Sequence, residues 1–144
     1  MSMTNFATKS SGNFPAFDVL HRECCEAIEF VSRSDDAGFP AAMEYMLKHL
    51  AHAFRIEEYW MEDRNYPALL SHREQHARVL AALHHVQAAV LDGDMPIGRH
   101  AIGDLLPKWL ALHVDTMDTA LSLALRFNER RRAAPRRQPE TAVV

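Results

Sequence analysis

Nine histidines in 144 residues are an unusual endowment, and several recur at helical intervals with carboxylates among them. His72 and His76 form an HxxxH pair, so on a helix both imidazoles leave one face a turn apart. His113 and Asp118 form an HxxxxD pair further on, Glu57 follows His52, and His21 lies nearer the N-terminus. Together these are five imidazoles and two carboxylates from four stretches of chain. An isolated HxxxH is more often a solvated or core pair than a ligand pair; co-occurrence in successive stretches is what points to a metal. Imidazole with carboxylate suits iron or another first-row ion, and so thiolate-poor a set argues against structural zinc or an iron–sulfur cluster. Seven side chains are too many for one ion. Two carboxylates able to bridge, plus five terminal nitrogens, fit a pair of metals with one coordination position open. His49, His84, His85 and His100 fall outside the pattern and are expected at the surface or rim.

Helices must position these donors. Five Gly and seven Pro leave few turns, and the apolar residues repeat at intervals of three and four. Phe17, Leu20, Cys24, Ala27/Ile28 and Val31 predict a first helix from about Pro15 to Arg33. After the loop at residues 34–40, with Pro40 suited to a first turn, Met43, Met46/Leu47, Leu50 and Phe54 predict a second helix to about Arg64. Asn65-Tyr66-Pro67 ends it. A third helix is expected from about Ala68 to Leu91 through Leu69, His72, His76, Val79/Leu80 and Leu83, with a turn at Asp92-Gly93-Asp94. Pro107 cannot donate a helical hydrogen bond, so a short helix to about Leu106 and a main fourth helix from near Pro107 to about Arg131 are expected. The sum is an all-α, up-down-up-down four-helix bundle with the metal site in its core. Residues 1–13 read as a flexible arm, 14–132 as the bundle and 133–144 as a disordered basic tail.

Composition narrows the function. The chain is 48% apolar and 24% charged, which is globular. No apolar run approaches the roughly 18–20 residues of a membrane span. The N-terminal MSMTNFATKSSGNFP lacks the apolar core of a secretory signal, and the adjacent Cys24 and Cys25 cannot build a disulfide framework. A cytoplasmic protein is expected. The net charge of −3 conceals a division: residues 1–125 carry −7, whereas residues 126–144 carry +4 from six Arg against Glu129 and Glu140. An acidic body with a basic tail argues against general nucleic-acid binding, and leaves the Arg-rich tail as a solvated extension or a contact for a protein partner. One bundle accounts for the amphipathic faces, so a monomer is the default.

The motifs resemble those of the hemerythrin family, in particular its stand-alone bacterial members. Asp18-Val19-Leu20-His21 matches the first-helix element. Phe54-Arg55-Ile56-Glu57-Glu58, with Met61 and Tyr66-Pro67, matches the end of the second. HREQH, holding His72 and His76, matches the third, and the run from Trp109-Leu110 through His113 to Asp118 matches the fourth. The resemblance spans about residues 14–127. It implies that His72, His76 and His113 bind one iron, that His21 and a second-helix histidine bind the other, and that Glu57 and Asp118 bridge the two with an oxo or hydroxo group. It also implies an open position for dioxygen and no catalytic residue; by helical spacing from His113 and His21, an apolar pocket there would draw on Trp109, Leu110, Val114 and Cys24. Oxygen carriage, storage or sensing is the leading expectation. Nitric oxide, peroxide or iron–sulfur repair chemistry at a diiron enzyme is the alternative, and a degenerate site with a structural role is the third.

One position departs from the family. Where the family has His four residues before the bridging Glu, this chain has Ala53, and His52 stands five residues before Glu57. In a regular helix that leaves His52 about 140° from Glu57. Either a π-bulge brings His52 round to the metal, as the five-residue spacing of His113 and Asp118 implies for the fourth helix, or the helix is regular and the ligand is lost to Ala53, leaving the second iron with a gap filled by water or another side chain, or weakly bound.

Overall fold

The computed structural model describes residues 14–134. The arm at 1–13 and the tail beyond 134 lie outside them. Helix α1 is Pro15–Arg33, α2 Phe39–Asp63 and α3 Leu69–Leu91. A fourth rod, residues 95–133, runs without a break as α4 (Met95–His100), a π turn (Ala101–Leu105), α5 (Leu106–His113), a second π turn (Val114–Asp118) and α6 (Thr119–Ala133). The break expected at Pro107 is therefore absent. Pro107 sits in the first turn of α5, where its missing N–H and its ring are accommodated by the wider π turn just before it.

The short connections make neighbours antiparallel. α1 packs on α2, α2 on α3 and α3 on α4, and the π turn Ala101–Leu105 closes the ring against α1. The stripe on α1 is buried as its periodicity requires: Phe17, Leu20, Cys24, Ala27, Ile28 and Val31 all face inward. On α2, Met43, Met46, Leu47, Leu50, Phe54 and Met61 do the same. The apolar interior is divided in two. A large cluster runs from Phe39, Val90 and Ile102 to Leu20, Ala53, Phe54, Leu110 and Val114; a smaller one holds Phe17, Met61, Leu121 and Leu125. A layer of buried polar side chains lies between them along every rod.

Local contacts fix the ends of the rods. Asn65 takes a left-handed φ of 50° at the α2–α3 turn and Gly93 one of 100° at the α3–α4 turn. Asp94 then caps α4 by accepting from Ile97 N–H at 3.2 Å. Arg99 ties the α1–α2 loop to α4, donating to Ser34 O at 2.8 Å and to Asp36 Oδ1 at 2.7 Å, with its guanidinium 4.6 Å from the Phe39 ring centre.

Gly98 permits the closest approach in this region. A Cβ there would stand 2.7 Å from Phe39 Cε1 and meet Val90 Cγ2 as well. Both neighbours are buried, Phe39 completely. Gly98→Ala is expected to cost roughly 1–3 kcal/mol by overpacking, read as a drop of about 3–10 °C in the thermal midpoint. An unchanged midpoint would show that the Phe39 end of the core yields freely.

Candidate metal centre

Each rod delivers a donor where its inward stripe crosses the middle of the bundle. α1 supplies His21, one turn after Phe17; α2 supplies Glu57, one turn after Phe54; α3 supplies His72 and His76; the fourth rod supplies His113 and Asp118. All six are buried. His113 and Asp118 share a face because of the second π turn, where Thr119 N–H bonds to Val114 O five residues back. The Thr119 hydroxyl adds a second bond to that carbonyl at 2.8 Å. The widening implied by their spacing is present.

The bulge expected on the second helix is not. α2 is α-helical from Phe39 to Asp63, so His52 remains on the exposed side and Ala53 occupies the buried position. His52 is not brought to the centre. His84, His85 and His100 are exposed and His49 is half-buried, as expected for histidines outside the pattern.

The remaining donors converge. The Nε2 atoms of His72 and His76 each lie 3.1 Å from His113 Nε2. Asp118 Oδ1 is 3.0 Å from His72 Nε2 and 3.1 Å from His113 Nε2. Glu57 Oε2 is 3.2 Å from His76 Nε2 and 3.5 Å from His72 Nε2. Ligand atoms of Glu57, His72, His76, His113 and Asp118 all fall within 4.8 Å of one another. On the far side of the same carboxylate, Asp118 Oδ2 pairs with His21 Nε2 at 3.0 Å.

Protons alone do not satisfy this arrangement. Two imidazole nitrogens approach the single Nε2 of His113 at once, and Glu57 Oε2 and Asp118 Oδ1 are buried with no hydrogen bond of sound geometry. Leaving such atoms unpaired costs about 1–3 kcal/mol each. A cation at the point of convergence removes the cost, and imidazole with carboxylate is a donor set for first-row metals. The residues present fit a metal ion.

The surroundings orient the donors. His76 Nδ1–H donates to Glu58 Oε1 at 3.1 Å, which fixes the tautomer and turns the Nε2 lone pair toward the cluster. Arg73 pairs with Glu58 at 3.4 Å and with Glu62. Phe54 stacks on the His76 ring at 3.9 Å and 3°, and Trp109 on the His113 ring at 4.6 Å and 14°. Sequence reading placed Trp109 near the site but missed the role of Glu58. Its only signal was a second carboxylate beside Glu57, about 100° round the helix toward α3.

Charge follows from the packing. Burial opposes ionisation of Asp118, but its contacts with His113, His21 and His72 outweigh burial and hold its carboxyl well below the ordinary range. Burial likewise works against a charged His72, yet the Asp118 and Glu57 carboxylates raise it to about 9, and Asp118 raises His21 in the same sense. Burial, with Glu57 and Cys25 beside it, pushes the Cys24 thiol far up, so it stays a neutral, small apolar group; Cys25 is pushed up to about 11.

The fold and donors together define a four-helix bundle with a buried histidine–carboxylate centre suited to metal. No family model matches the chain. It is 36% identical over 107 residues to a bacteriohemerythrin of Ralstonia nicotianae, a match covering 74% of this chain and 77% of that relative. The chain belongs to the hemerythrin family.

Two outcomes are expected. Glu58→Ala frees the His76 ring and weakens metal affinity about 10–100-fold in chelator competition; unaltered affinity would show that the Nδ1 contact does not matter. In metal-free protein the raised His72 contributes stability that is complete below its ordinary value of 6.5 and lost as pH rises through about 9. Thermal midpoints of the metal-free form should therefore fall across that window. The depressed Asp118 contributes stability lost at the acid end. A flat profile between pH 6.5 and 9 would mean that the buried pair is not ionised.

Proposed function

We propose that this protein holds a pair of non-haem iron ions and binds dioxygen reversibly, as a carrier, store or sensor, without acting as an enzyme. The observation that carries the reading is the five buried donors within 4.8 Å, joined by His21 across Asp118. His72, His76 and His113 would hold one ion, His21 would face the other, and Glu57 and Asp118 would reach both, with an oxo or hydroxo group between the ions. When bound, the iron pair supplies the electrons that dioxygen requires.

The chain's own contribution is exclusion and orientation. Phe54 lies on the His76 ring, and Leu110, Val114 and Cys24 are buried in the same core; by excluding bulk water they would limit irreversible oxidation. Glu58 holds His76 in one tautomer. Among the described residues no helix is long and apolar enough to cross a membrane, and Cys24 and Cys25 are free thiols; a cytoplasmic monomer is part of this reading. The bacteriohemerythrin relative supports it.

A reactive diiron site, turning over nitric oxide or peroxide or delivering iron, is the second reading. Ala53 favours it, because it offers no donor where the family has histidine, and a metal with fewer protein ligands is more open to chemistry.

Anaerobically reduced protein exposed to air should gain charge-transfer absorption in the near-ultraviolet and visible, and lose it again under vacuum. Rapid irreversible oxidation with turnover would select the second reading. Failure to retain iron after anaerobic reconstitution would remove both.

A further inference from the structure

We infer that the two metal positions are unequal: the one at His72, His76 and His113 binds its ion tightly, and the one at His21 holds a second ion loosely and exchanges it. The inference rests on the diiron reading and deepens it.

Donors are split unevenly across the shared carboxylates. On one side, three imidazole nitrogens surround Asp118 Oδ1 and Glu57 Oε2 at 3.0–3.5 Å. On the other, Asp118 Oδ2 meets a single imidazole, that of His21. Among the described residues no second histidine stands beside His21: His52 is exposed on a regular α2, and His49 lies against Tyr45 at 4.4 Å. The buried position one turn before Glu57 is Ala53, which has no donor atom.

The imbalance has a structural cause. His76 and His113 are held by ring stacking, and His76 also by Glu58, before any ion arrives, while His72 packs edge-on against both rings, so little ordering is needed to bind there. The His21 position begins with one nitrogen and Asp118 Oδ2, from a carboxylate whose other oxygen already faces the three-histidine side. An orienting contact to a ligand is itself worth about 10–100-fold in affinity, so two fewer nitrogen donors should separate the sites by about 100-fold or more.

The test uses the full chain, metal-free, titrated anaerobically with ferrous iron against a chromophoric chelator, with iron counted after gel filtration. One ion per chain should survive filtration, and a second should appear only in the titration, at least about 100-fold weaker. His21→Ala should erase the weak class and leave the tight one. Ala53→His, if it folds by circular dichroism, should make two ions survive filtration. Two ions of equal affinity in the wild type would overturn the inference while leaving the diiron reading intact. A weak class that persists in His21→Ala would also overturn it. Retention of no iron would instead defeat the diiron reading itself, so the two failures are distinguishable. The wild-type and His21→Ala arms decide the matter even where Ala53→His does not fold.

Discussion

The structure depends on keeping two carboxylates and four imidazoles out of water at the middle of a helical bundle. An unpaired charge in such a place is several kcal/mol too costly to tolerate. Glu57 and Asp118 therefore have to be met by imidazoles from other rods, and the imidazoles by one another or by a cation. Each of the four rods contributes to that mutual satisfaction, so the polar layer specifies how they pair. The apolar clusters on either side then serve a double purpose. Phe17, Met61, Leu121 and Leu125 close one end, and the larger cluster from Leu20 and Phe54 outward closes the other. Burial of these side chains drives folding, and the same burial lowers the local dielectric that makes the donors interact strongly.

Backbone irregularity is concentrated in one rod. α1, α2 and α3 are uniform α-helices, whereas residues 95–133 contain two π turns. The first absorbs Pro107, and the second rotates Asp118 beneath His113. A bulge is less favourable than a regular turn, and here the bonds from Thr119 to Val114 O and the contact of Asp118 with three histidines offset it. The arrangement is economical: three regular rods form the frame, and one adapted rod brings a nitrogen and a carboxylate to a single point.

Much of this was readable from residue spacing, and the exceptions are instructive. The α1 stripe predicted both the bounds Pro15–Arg33 and the buried residues. The interval of five from His113 to Asp118 predicted the π turn. The same interval from His52 to Glu57 suggested a second one, which α2 does not have. The difference lies in the phase of the flanking apolar residues. On α2, Leu50, Phe54, Glu57 and Met61 step by four, three and four, so the stripe is continuous and an inserted residue would rotate half of it into water. On the fourth rod, the buried Leu106, Leu110, Val114 and Asp118 step by four three times running, a drift of about 120° in a regular helix that the π turn takes up. Phase across the gap, rather than the interval alone, separates a bulge from a histidine that faces solvent. Pro107 was misread for a related reason: loss of one donor breaks an isolated helix, but a helix clamped in a bundle widens instead. Glu58 was illegible because its partner, His76, is 18 residues away and no interval along one helix reports a contact between two.

The two sides of the centre are built from different materials. The α3 and fourth-rod side is closed by rings: Phe54 lies flat on His76 and Trp109 on His113. The α1–α2 side has a thiol and a methyl, Cys24 and Ala53, and one tilted ring, Phe17, 5.5 Å from the His21 ring. Rings stacked face to face hold ligands rigidly, whereas a thiol, a methyl and a tilted ring hold them less firmly. Ala53 thus acts in two opposed ways on the proposed function. It removes a donor, which on the proposed reading loosens the second ion, and it takes up less room than an imidazole would on that same side. Reversible binding requires the first effect to stay small, and reactivity is promoted when it is large. On the proposed reading, the balance between storing dioxygen and reacting with it would turn on how firmly His21 and the two shared carboxylates hold an ion without help from α2.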